Sequence, residues 1–125
     1  MFTHLVVGAN DMPASKKFYD AALGALGIPE GADAGNGRVV YASPAGMLLL
    51  TIPIDGNPAS FGNGITIGLT APNPDAVDAF HAQGIAAGGS DEGAPGPREA
   101  IPNSYAAYLR DPTGNKLVAW CVKEG

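Results

Sequence analysis

Apolar and polar positions along the chain follow one plan, written twice. Residues 2–8 form a short, mostly apolar run with Leu5, Val6 and Val7 consecutive, as expected of a strand covered on much of both faces. Asp11 can cap a following helix that has Pro13 in its first turn. Phe18, Ala22, Leu23 and Leu26 then recur at helical spacing, and Gly27 supplies a left-handed stop. Residues 28–37 are rich in turn formers and hold a short extended piece. Residues 38–42 and 46–52 read as a hairpin about Ser43 and Pro44. Two prolines, two asparagines and three glycines within 53–64 have the composition of a linker. The plan restarts at Ile65. Asn73 and Pro74 open a second helix, Val77, Phe80 and Ile85 mark its inner side, and Gly88 with Gly89 stops it. Residues 90–104 read as a long loop, and 105–109 and 115–122 as strands around the turn at 111–114.

At an offset of 62, His4 falls on Thr66, Ala9 on Ala71, Phe18 on Phe80 and Gly27 on Gly89. From the hairpin turns onward an offset of 68 pairs Leu50 with Val118. Each half is therefore a strand, a helix, then two or three antiparallel strands, which predicts an α+β fold. Residues 1–125 form a single domain of two βαβββ modules, about 1–54 and 65–125, joined by a linker at about 55–64. Laid side by side, the modules would make a curved mixed sheet around a cup, with the helices outside.

Composition narrows the partners. A net charge of −5 with scattered lysines and arginines excludes a nucleic-acid partner, which needs a basic face. No apolar run approaches the roughly 18 residues of a membrane span, and the N-terminus lacks the basic-then-apolar pattern of a secretory signal. The lone Cys121 sits in an apolar strand and reads as a small buried hydrophobe, so a cytoplasmic location is expected. No Gly-x-Ser-x-Gly elbow, phosphate loop or Cys-x-x-Cys pair is present.

Several segments together resemble the vicinal oxygen chelate superfamily of glyoxalases, bleomycin- and fosfomycin-resistance proteins and extradiol dioxygenases. They are Thr3-His4-Leu5, the run 80–89, Gly96-Pro97-Arg98, and the run 105–115 with its Asp-Pro-Thr-Gly-Asn turn. The resemblance covers essentially the whole chain and implies the glyoxalase/bleomycin resistance/dioxygenase fold, usually with a divalent metal in the cup. Ligands in such proteins come from the first and last strand of each module, and oxygen and imidazole donors suit the divalent ions concerned. The matching positions are His4, Thr66, Leu50 and Val118, of which only His4 offers a strong donor. The resemblance thus implies a metal-depleted cup that binds a small molecule, like the bleomycin-resistance proteins, with no metal and no other cofactor. The alternative is a divalent-metal-dependent lyase, isomerase or dioxygenase that uses His4 with further donors. A homodimer is implied by the resemblance alone.

Six residues emerge as ligand-binding candidates: His4, Thr66, Arg98, Tyr105, Val118 and Trp120. Arg98 follows a stiff Gly/Pro loop and could clamp a carboxylate or phosphate, or else pair with Asp91, Glu92 or Glu99. Trp120 shares a strand face with Val118 by alternation, and Tyr105 is a strand-end aromatic. His81 is placed at a helix edge, and Asp91 and Glu92 are read as surface charges.

Overall fold

The computed structural model of the chain describes residues 1–123. Its first five elements are β1 (His4–Gly8), α1 (Met12–Gly24), β2 (Ala32–Gly35), β3 (Arg38–Ser43) and β4 (Gly46–Thr51). The second five are β5 (Ile67–Thr70), α2 (Pro74–Ala86), β6 (Ser90–Gly96), β7 (Ser104–Arg110) and β8 (Lys116–Val122). The fold is α+β, with the two βαβββ modules that the duplication predicts. Both helices start where short polar side chains can satisfy free backbone donors. Asp11 accepts from Ala14 N at 3.0 Å, and Asn73 from Ala76 N at 2.9 Å.

The strands form two four-stranded mixed sheets, ordered β1-β4-β3-β2 and β5-β8-β7-β6. Only β1–β4 and β5–β8 are parallel pairs. β1 and β5 therefore each lie at the edge of their own sheet, and the eight strands do not merge into one surface within the chain. The modules meet through their helices instead. α1 packs on α2, and one core mixes Phe18, Tyr19 and Leu23 with Val77, Phe80 and Leu109. Small residues allow this approach: a Cβ on Gly84 would sit 2.4 Å from Leu109 and 3.3 Å from Phe18.

A polar joint ties the modules at one end. The Tyr19 hydroxyl donates to Asp111 Oδ2 at 2.6 Å, while Asp111 Oδ1 accepts from the backbone of Thr113, Gly114 and Asn115. Asn115 Nδ2 donates to both Asp111 Oδ2 and Gly8 O. The linker is anchored over the same corner, since Asn10 exchanges bonds with both backbone groups of Ala59.

Two expectations need correction. Residues 90–96 are not loop but strand β6, whose register shifts between Asp91 and Gly93 and between Gly93 and Gly96. Bulges and Gly/Pro content at a sheet edge hide the alternation that marks a strand. Secondly, Leu50 does not share a face with His4. β1 pairs Leu5 with Leu48, and β5 pairs Ile67 with Leu117, so the true offset between β4 and β8 is 69 (117 − 48). Val118 thus matches Leu49. A one-residue slip reverses every side chain of a strand, and Leu50 is fully buried against the helices.

Candidate functional site

Alternation sends Leu5, Val7, Leu48 and Leu50 towards the helices and leaves His4, Val6, Met47 and Leu49 on the opposite, open face of the first sheet. On the second sheet, register places Gly68 beside Val118 and Tyr108, and Thr70 beside Trp120 and Ala106. Arg110 and Lys116 form the next pair on that same face.

A cleft of about 460 Å³ opens between the modules, bordered by β1, the end of α1, the β3–β4 turn and β5. Leu23, Leu26, Ile28 and Leu48 give it an apolar wall, with His4, Thr3, Ser43 and Thr70 as polar groups. That mixture suits a small organic molecule held by burial and oriented by a few polar contacts. The His4 imidazole is exposed, and its Nδ1 lies 2.8 Å from Thr3 Oγ1. No carboxylate bonds it among the described residues, so Nε2 is available to a ligand.

The six candidates divide between these surfaces. His4 borders the cleft, whereas Thr66 lies exposed one residue before β5, and Val118 is buried beside Gly68, which does border it. Trp120 is half-buried next to Thr70, another cleft residue. Tyr105 faces the other way: it pairs with Cys121 on the helix side and donates to Asp78 of α2 at 2.7 Å. Arg98 forms no ion pair with Asp91, Glu92 or Glu99. Its guanidinium donates to the carbonyls of Ala94, Gly96 and Pro97 and lies 5.4 Å from the centre of the Tyr108 ring. Asp91 instead bonds His81 at 2.8 Å, and that bond together with Gly93 N–H holds its carboxyl below the usual range. Glu92 pairs with Arg110.

Gly68, Thr70 and Lys116 carry no signal of their own in the sequence, whereas Tyr108 is one of the strand-end aromatics that suit a pocket lining. Stepping by two from Trp120 through Val118 reaches Lys116, and its antiparallel partner strand places Tyr108 on the same face.

A divalent ion, which the fold implies, does not fit this donor set. Such a site needs about three or four oxygen, nitrogen or sulfur donors converging on one point. Around His4 the open face offers Val6, Met47 and Leu49, and the matching row of the second sheet offers Gly68 and Val118. Among the described residues no three His, Cys, Asp or Glu side chains come together.

Residues 2–119 match the model of the Glyoxalase/Bleomycin resistance protein/Dioxygenase superfamily. The chain is 53% identical to a glyoxalase/bleomycin resistance protein from Albidiferax ferrireducens T118, over 96% of this chain and 97% of that one, with a TM-score of 0.89. A glyoxalase-related enzyme from Fulvimarina pelagi shares the fold at 18% identity and a TM-score of 0.74, over 96% and 86% of the two chains. Lactoylglutathione lyase from Agrobacterium tumefaciens does so at 23% identity and a TM-score of 0.67, over 96% and 92%. A search among proteins of curated function finds no match.

Proposed function

Because the chain belongs to the glyoxalase/bleomycin resistance protein/dioxygenase superfamily and yet keeps one imidazole where an ion needs several donors, we propose that it binds a small, partly apolar molecule without metal. The observation that carries this reading is the cleft itself: an apolar wall with hydroxyl groups and His4 at its edge and no carboxylate among its lining residues. Burial of the ligand's apolar body supplies affinity, and His4, Thr3 and Thr70 offer polar contacts at the rim of the cleft. A bound molecule would be held, not converted.

Trp120 is the chain's only tryptophan and stands next to the cleft residue Thr70. A thermal-shift screen of aromatic and carboxylate compounds, followed by Trp120 emission, tests the reading. Binders should raise the melting temperature and perturb the emission, and His4→Ala should weaken them without lowering the melting temperature of the free protein. A screen without binders would contradict it. Turnover that is lost on chelation would favour the alternative, a metal-dependent lyase, isomerase or dioxygenase, for which the retained His4 is the one supporting feature.

The working unit proposed is a cytoplasmic homodimer. Among the described residues β1 and β5 each leave a backbone edge unpaired, and Val6 within β1 and Ile65 just before β5 are 52% and 61% exposed. Open apolar edges are a liability that a second copy removes. Light scattering should give twice the chain mass; a monomer at micromolar concentration would refute it.

A further inference from the structure

We propose that the open face of the second sheet is an anion subsite, so that the molecule bound is an organic carboxylate with its apolar body directed towards the cleft. The inference rests on the small-molecule reading above and adds the charge of the ligand.

Three of the seven lysines and arginines of this acidic chain gather on that one face: Arg98, Arg110 and Lys116. Arg110 is neutralised by Glu92. Asp91, the other acid of β6, turns to His81 on the helix side. Neither Arg98 nor Lys116 is in an ion pair among the described residues. Both instead flank a single ring, with the Arg98 guanidinium carbon 5.4 Å and Lys116 Nζ 5.2 Å from the centre of Tyr108. Two cations without acidic partners around one aromatic make this face electropositive, and a carboxylate at the open edge of the Tyr108 ring answers that charge. The carbonyls of Ala94, Gly96 and Pro97 hold the guanidinium in place, so little side-chain freedom is lost when an anion arrives. The Tyr108 hydroxyl donates to no acceptor among the described residues and is a further donor for the same anion.

The sheet also sets the ligand's length. Gly68, Val118 and Tyr108 lie in one row across β5, β8 and β7. Two strand spacings therefore separate the anion site from the cleft edge, about 10 Å. The bare Cα of Gly68 and the Val118 side chain between them form an apolar floor. A carboxylate at Tyr108 thus suits a molecule whose aromatic or aliphatic end reaches the cleft at Gly68.

The test uses phenylbutyrate and its neutral isostere phenylbutyramide, titrated into the full chain and followed by Trp120 emission and melting temperature. The acid should bind about tenfold more tightly than the amide, each cation contributing roughly threefold, and added salt should erode the difference. Lys116→Gln, which removes no hydrogen bond of the fold, should cut the preference to about threefold. Arg98→Gln should do the same, and the double variant should abolish it while amide binding stays unchanged. Equal binding of acid and amide, indifferent to both substitutions, would overturn the anion subsite and leave the small-molecule reading standing. No response to either compound at any soluble concentration would overturn both. If Lys116→Gln instead changes the chain's mass in solution, the face is a contact between copies and the inference fails.

Discussion

Tyr19→Phe isolates the joint between the two modules. The ring is fully buried and would keep its packing against Phe18 and Tyr41, so the change removes only a hydroxyl. That hydroxyl donates at 2.6 Å to Asp111, which is itself 5% exposed. A hydrogen bond to a charged acceptor contributes about 1.5–3 kcal/mol. Asp111 keeps its other donors from Thr113, Gly114 and Asn115, which limits the loss to about 2 kcal/mol. For a domain of this size that corresponds to a melting temperature lower by roughly 6–10 °C. The same bond has an alkaline signature. Burial, then the neighbouring Asp111, pushes the Tyr19 hydroxyl well above its ordinary value of 10.0, and burial with Asp20 raises Tyr41 as well. With the folded values raised, each tyrosine's contribution is complete below pH 10 and is lost as pH rises, because the unfolded chain then releases protons that the native one retains. Above about pH 10 each should lower stability by about 1.4 kcal/mol per pH unit. Urea unfolding across that range should therefore show a shallower decline in Tyr19→Phe than in the unsubstituted chain. A loss under about 0.5 kcal/mol at neutral pH, or an unchanged alkaline slope, would refute the reasoning.

Leu50→Glu should cost more than about 4 kcal/mol or prevent folding, since it buries a charge against the helices, whereas Leu49→Glu on the open face should cost under about 1 kcal/mol. Equal effects in urea melts would refute the 69-residue register. Gly89→Ala would bring a Cβ within 2.3 Å of Phe18 and 3.0 Å of Arg110 O, and should destabilise by about 1–3 kcal/mol in the same assay. His81→Ala should remove a small acid-side contribution: Asp91 is held low by His81, so the link is present above the ordinary carboxylate range and lost as pH falls through it. Matching acid melts of the two proteins would contradict that.

Much of the fold was legible because its strongest signals are local. Asn73 before Pro74 and Asp11 before Pro13 fix two helix starts, and Phe18 and Phe80 recur at equal places in both copies. The errors are of a different kind. Side-chain direction in a strand has a period of two, so counting the β8 match as 68 instead of 69 placed Leu50 on the wrong face while leaving the strand itself correct. β6 stayed hidden because its residues are Gly, Pro and acids, and only pairing with β7 makes them a strand. The separation of the sheets depends on how α1 seats on α2, a contact between surfaces far apart in the chain that no local pattern encodes. Arg98 illustrates the limit for the site: its loop was noticed, but its position over Tyr108 follows from a register that the sequence does not display.

Calorimetric titration of Zn²⁺ and Ni²⁺ into untagged protein tests the central claim most directly. With His4 as the sole strong donor on its face among the described residues, the account predicts no saturable binding at micromolar metal, and the same weak heats for His4→Ala. One ion per chain, bound with micromolar affinity and lost in His4→Ala, would contradict it.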